Sequence, residues 1–105
     1  MEEVELPDLL HALGDPVRLE IVRHLADHPN QTCGALDTRV AKSTLSHHLK
    51  VLREAGITRT HADGTQRIVS LRSAELEERF PGLLDSVLSA SQAAYPAAAI
   101  RVPEA

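Results

Sequence analysis

Apolar positions recur with a helical period over most of this chain, and with a strand period in one stretch. Leu6, Leu9, Leu10 and Leu13 stand at i, i+3, i+4 and i+7, which predicts a first helix over residues 4–13. Pro7 and Asp8 suit its first turn, where no amide donor is needed and a negative charge meets the positive end of the helix dipole; Gly14 closes it. Asp15-Pro16 predicts the N-cap and first turn of a second helix. Its buried face is Val17, Ile21, Val22 and Leu25, and it ends at His28-Pro29. Residues 30–41 read as a loop, a brief helix around Gly34-Ala35-Leu36-Asp37 and a turn, with Leu36 and Val40 pinning the helix behind them. From Lys42 the pattern sharpens: Leu45, Leu49 and Leu52 form one apolar face, and Gly56 stops the helix. Ser43, Thr44, His47, Lys50 and Arg53 point mostly elsewhere, and nearly all are hydrogen-bond donors.

After Gly56 the period changes to two. Ile57-Thr58-Arg59-Thr60-His61-Ala62 and Thr65-Gln66-Arg67-Ile68-Val69-Ser70-Leu71, joined by Asp63-Gly64, predict a β-hairpin. Alternation sets Ile68 on one side and Arg67 and Val69 on the other, and the tip is expected to gather Arg59, His61, Thr65, Gln66 and Arg67. A donor-rich helix followed by a basic-tipped hairpin is the layout of a winged helix-turn-helix, with the helix in the major groove and the wing on the backbone. Ser73 then predicts an N-cap, with Glu75 in the first turn of a helix striped by Leu76, Phe80, Leu83, Leu84, Val87 and Leu88; Pro81 should kink or split it near Phe80. The fold class expected is mainly α (α+β): one winged helix-turn-helix domain over residues 1–95, with a two-stranded wing, and a frayed tail over 96–105. The apolar first and last helices exceed what one small core hides, which predicts a homodimer through Leu6, Leu9, Leu10, Leu13, Leu83, Leu84, Val87 and Leu88.

Charge changes this picture only when taken locally. The chain of 105 residues carries −4 overall, which speaks against nucleic acid. Residues 39–72, however, hold seven Lys or Arg against Glu54 and Asp63, a segment charge of +5 between ends of −6 and −3. A phosphate backbone meets local potential, so duplex DNA is the expected partner. The candidate DNA contacts are Lys42, Ser43, Thr44, Ser46, His47, Lys50, Arg53, Arg59, Thr65, Gln66 and Arg67. A winged-helix module acting through a partner protein is the alternative, which the basic middle segment disfavours. No apolar run spans a bilayer, the acidic start is unlike a signal peptide, and the single Cys33 fits a reducing cytosol, so the expected location is cytoplasmic. Ser46-His47-His48 does not make an enzyme, because neighbours one and two apart on a helix do not face each other. His24 and His28, at i, i+4 beside Asp27, have a spacing that can chelate metal; the plainer reading is a boundary and a helix-end histidine. Cys33 near a helix start reads first as a small buried hydrophobe, with redox sensing as the alternative.

Leu13-Gly14-Asp15-Pro16-Val17-Arg18-Leu19, together with Ser46-His47-His48-Leu49-Lys50-Val51-Leu52-Arg53-Glu54-Ala55-Gly56 further on, resembles the ArsR/SmtB family of bacterial winged-helix regulators. The Asp63-Gly64 wing and Leu71-Arg72 fit the same pattern, and the likeness runs from about Leu6 to Leu88. The resemblance implies a homodimeric transcriptional regulator, usually a repressor released from its operator by a ligand or by oxidation. It implies that His48 belongs to the packing while His47 can face DNA. Family members often sense metals through a Cys-x-Cys pair or through Asp and His ligands on the last helix. Here Cys33-Gly34-Ala35 lacks the second thiol, and residues 73–95 contain no histidine. A metal such as nickel or zinc would therefore need a non-standard site drawing on His11, His24 or His28.

Overall fold

Asp15 sets where the second helix begins. Its Oδ2 accepts from the amides of Val17 and Arg18 at 2.9 and 3.0 Å, which satisfies two of the donors that a helix start leaves open. The computed structural model of the chain describes residues 4–29, the backbone of 31–32, and 41–94. In chain order these form α1 (Leu6–Leu13), α2 (Pro16–Asp27), β1 (Gln31–Thr32), α3 (Lys42–Glu54), β2 (Thr58–Asp63), β3 (Gln66–Leu71), α4 (Ser73–Arg79) and α5 (Leu83–Ala94). The expected brief helix around Gly34-Ala35-Leu36-Asp37, Cys33 and the 96–105 tail lie outside the described residues.

Most elements match the periodicity, with shifts at their edges. α1 starts at Leu6 rather than Val4, because Glu5 is the extended N-cap (φ −105°, ψ 137°), with Pro7 in the first turn that follows. Val4 leaves the helix but enters the core at 6% exposure. Arg72, not Ser73, occupies the N-cap of α4, and no side chain caps it. The stripe after Ser73 is split as Pro81 demands: α4 ends at Arg79 with Phe80 as its C-cap, and α5 begins after Gly82, whose φ is +78°.

The hairpin forms in a register one residue off the Asp-Gly expectation. Asp63 pairs with Gln66, so the two-residue turn is Gly64-Thr65, with Gly64 at φ +63°. One strand is not visible in the hydrophobic pattern. β1, two residues long, pairs antiparallel with β3 and makes the sheet order β1-β3-β2 among the described residues. β3 is therefore central there, and both Ile68 and Val69 are buried although they face opposite ways.

The core gathers Ile21, Val22 and Leu25 of α2, Leu49 and Leu52 of α3, Ile57, Val69 and Leu76 around Ala12 of α1. Gly56 joins α3 to the sheet with φ +84°, and a Cβ there would collide with the Val4 side chain. Glycine thus serves two needs at that position, a left-handed backbone and room for the returning N-terminus. Arg79 ties the end of α4 to the segment ahead of α1, its Nε and one terminal nitrogen donating to the Val4 carbonyl at 3.2 and 3.1 Å.

Candidate nucleic-acid interface

The helix α3 has one face in the core and one in solvent. Leu49 and Leu52 are buried, Leu45 is half-buried, and Lys42, Ser43, Thr44, Ser46, His47, Lys50 and Arg53 are all exposed. No acidic residue lies in its first turn and no side chain caps its start, where Ala41 is the N-cap. Among the described residues, the positive end of the helix dipole beside Lys42, Ser43 and Thr44 thus meets no acidic first-turn side chain and no side-chain cap. This combination of donors, positive charge and dipole end suits an anionic partner.

The wing supplies a second exposed group. Residues 61–67 are all exposed, which leaves Thr65, Gln66 and Arg67 free of the core at or beside the turn. Arg59 is not at the tip. It sits opposite Ser70 near the base of the hairpin, four rungs from the Asp63–Gln66 pair, and its guanidinium lies 2.6 Å from Glu75 Oε1. Arg72 holds the other oxygen of the same carboxylate at 2.6 Å. These bonds, Arg72's first, keep Glu75 below the ordinary carboxylate value. Glu75 thus clamps the wing base to α4 and neutralises part of the charge that Arg59 would offer DNA.

The leucines assigned to a dimer divide into two sets. Leu9 (3% exposed) and Leu13 (7%) are buried in the chain's own core, whereas Leu6 (41%) and Leu10 (47%) stand in solvent. Leu83, Leu84, Val87 and Leu88 are half-buried, packed against the core from α5. A shallow apolar cleft lies between α1 and the C-terminal helices, lined by Leu9, Leu13, Ile57, Leu76, Phe80, Leu83 and Leu84. His24 and His28 stack with ring centroids 4.4 Å apart at the end of α2. Among the described residues no group of three or more His, Cys, Asp or Glu is placed to hold a metal ion.

A helix-turn-helix domain model matches residues 13–61. The chain is 37% identical over 82 residues to YceK, an HTH-type transcriptional regulator of Bacillus subtilis, covering 75% of this chain and 82% of YceK. Among solved structures it resembles the transcriptional repressor BigR of Xylella fastidiosa (26% identity, TM-score 0.62, 88% of this chain and 87% of BigR). An ArsR-like transcriptional regulator from Rhodococcus sp. RHA1 shares the fold at 24% identity and TM-score 0.61, over 86% of this chain and 92% of that one. The chain belongs to the HTH-type transcriptional regulators, and its fold is the winged helix-turn-helix of ArsR-like regulators. In this regulator two polar features are not evident from sequence. One is the Arg59–Glu75–Arg72 clamp: Arg72 and Glu75 are neighbours on the start of α4, but Arg59 is 16 residues from Glu75 and only the hairpin brings it there. The other is Arg18, buried at 8% exposure in α2 and bonded to His48 of α3. A signal for it does exist in the chain: an arginine one turn into α2, on the side of the apolar stripe, needs a buried acceptor.

Proposed function

We propose that this helix-turn-helix regulator is of the ArsR type and binds an inverted-repeat operator as a homodimer, with α3 in the major groove and the β2–β3 wing along the backbone. The observation that carries this is the division of α3: seven donor or basic side chains are exposed on a helix whose leucines face the core. Residues near its N-terminus, Ser43, Thr44, Ser46 and His47, are the candidate base readers, while Lys42, Lys50, Arg53 and Arg67 meet phosphates. Thr65 and Gln66 extend the wing contact, and Arg59 joins it only by sharing itself with Glu75. Leu6 and Leu10, exposed on α1, and the half-buried Leu83, Leu84, Val87 and Leu88 of α5 support a dimer through the terminal helices, which would space two copies of α3 about 34 Å apart. Repression of a promoter by operator occupancy follows from such a complex, and the likeness to the repressor BigR supports it. An effector would act by favouring one dimer geometry over another. The working compartment is the cytoplasm; among the described residues no helix is long and apolar enough to cross a membrane.

The test pairs light scattering with fluorescence anisotropy on duplex DNA. A dimer at micromolar concentration, with affinity falling steeply as salt rises, is expected. A monomer, or a dimer that survives Leu84→Asp and Leu88→Asp together, would remove α5 from the interface.

A further inference from the structure

His48 lies in the middle of α3 but turns away from its exposed face, and is 9% exposed. Its Nδ1 is 3.2 Å from a terminal nitrogen of Arg18. Arg18 is itself fixed: its Nε donates to the Ala12 carbonyl at 2.7 Å, and its other terminal nitrogen to the His11 carbonyl at 3.5 Å. A guanidinium only donates, so Nδ1 must accept, and the ring proton sits on Nε2 of a neutral imidazole. Asp15 Oδ2, already accepting from two amides at the start of α2, is 3.8 Å from the same Nδ1. Among the described residues, the charged or titratable groups facing the ring are Asp15 ahead of α2, Arg18 in α2, and His47 of α3 itself, with ring centroids 5.9 Å apart. α1 contributes the two carbonyls that hold Arg18.

We propose that the buried Asp15–Arg18–His48 contact makes the seating of α3, and through it DNA binding, proton-dependent. Neutral His48 fastens the recognition helix to α1 and α2; protonated His48 lets go of Arg18. Arg18 is then a positioning residue for DNA binding, acting through His48, and the DNA half of this inference rests on the reading of α3 as the DNA-contacting helix. The chemistry is direct. A proton on Nδ1 sets two cations, donor against donor, where an acceptor had met a donor. The ring can be satisfied only by turning to Asp15, which competes with the cap of α2, or by leaving the interior; either moves the middle of α3. Burial, aided by Arg18 and His47 and opposed by the Asp15 carboxylate, holds the imidazole below its ordinary value of 6.5. The unfolded chain therefore takes the proton first. The contact's contribution is complete above 6.5 and is lost as the pH falls from there through the lower folded value.

The test uses the full chain and the duplex it most enriches from a random pool. Anisotropy is followed from about pH 8 to about pH 5 for wild type and His48→Asn, whose amide oxygen can accept from Arg18 without titrating. Both proteins keep His47 and His61, so the difference between the profiles isolates His48. Wild type should lose affinity relative to His48→Asn on acidification, by up to about tenfold per pH unit below the His48 midpoint. Imidazole NMR without DNA provides the second reading. Wild type should show the Nε2-protonated tautomer, and Arg18→Met should raise the His48 midpoint by removing the adjacent cation. Superimposable DNA profiles, with both proteins folded by circular dichroism, overturn the link to DNA. An Nδ1-protonated ring, or a midpoint unmoved by Arg18→Met, overturns the contact itself. Failure to bind any duplex sinks the DNA-binding reading together with the DNA half of this one, and the NMR arms still decide the contact.

Discussion

Two residues of α3, two positions apart, should respond in opposite ways to truncation. Leu52 is fully buried, and Lys50 is exposed on the other face. Leu52→Ala deletes three carbons, worth about 0.8 kcal/mol each on transfer, and leaves a void against the Ile21, Leu25 and Ile57 cluster. The expected loss is about 2–5 kcal/mol, which for a domain near 100 residues lowers Tm by about 10 °C or more. Lys50→Ala should change stability by less than about 0.5 kcal/mol. Its effect emerges on DNA instead, where the slope of log affinity against log salt should flatten by about 0.9 for one lost phosphate contact. Thermal melts followed by circular dichroism, with anisotropy at several salt concentrations, read both quantities. A Leu52 variant as stable as wild type, or a Lys50 variant that melts early and keeps its salt slope, would refute the division of the helix into a core face and a DNA face.

The wing and the glycine joints give further expectations. Arg67→Ala should weaken binding to all duplex sequences about equally and flatten the salt slope by about one unit; selective loss at one base position in a binding-site library would make it a base reader. Gly56→Ala should cost about 1–2 kcal/mol for its left-handed backbone and more for displacing Val4, whereas Gly64→Ala, with nothing within 4 Å, should lose only the backbone part; urea midpoints compare them. Glu75→Gln should release Arg59 and steepen the salt slope by up to about 0.9, while an unchanged slope would show that Arg59 stays off the phosphates. In the wild type, the contribution of Glu75 to stability is present above its ordinary 4.5 and lost as the pH falls through the lower folded value; acid melts of wild type against Glu75→Gln read that loss.

Features that depend on period and punctuation are legible in the chain. The leucine spacing of α3, the Asp15-Pro16 start of α2 and the Pro81 break all act within one or two turns, so local sequence carries them. The two-residue β1 has no period of its own, because its pairing with β3, Gln31 to Val69 and Thr32 to Ile68, is set by a partner distant in the chain. The same holds for the site. The exposed donors of α3 come directly from helix phase, whereas alternation along the hairpin gives Arg59 a face and not a rung, and so puts it at the wing tip. Its true position beside Glu75 depends on how α4 folds back after the hairpin. Likewise the α1 stripe contains four leucines, but only packing decides that Leu9 and Leu13 face inward while Leu6 and Leu10 do not. The Arg18–His48 bond spans 30 residues and leaves no local mark beyond a polar residue in an apolar stripe.

The central claim, a two-fold complex with α3 in successive major grooves, is tested most directly by sequencing the duplexes that the protein retains from a random pool. One enriched motif is expected, an inverted repeat whose half-site centres lie about 10–10.5 base pairs, or a multiple of that, apart. Enrichment of a single asymmetric half-site, or of no sequence at all at moderate salt, would contradict it.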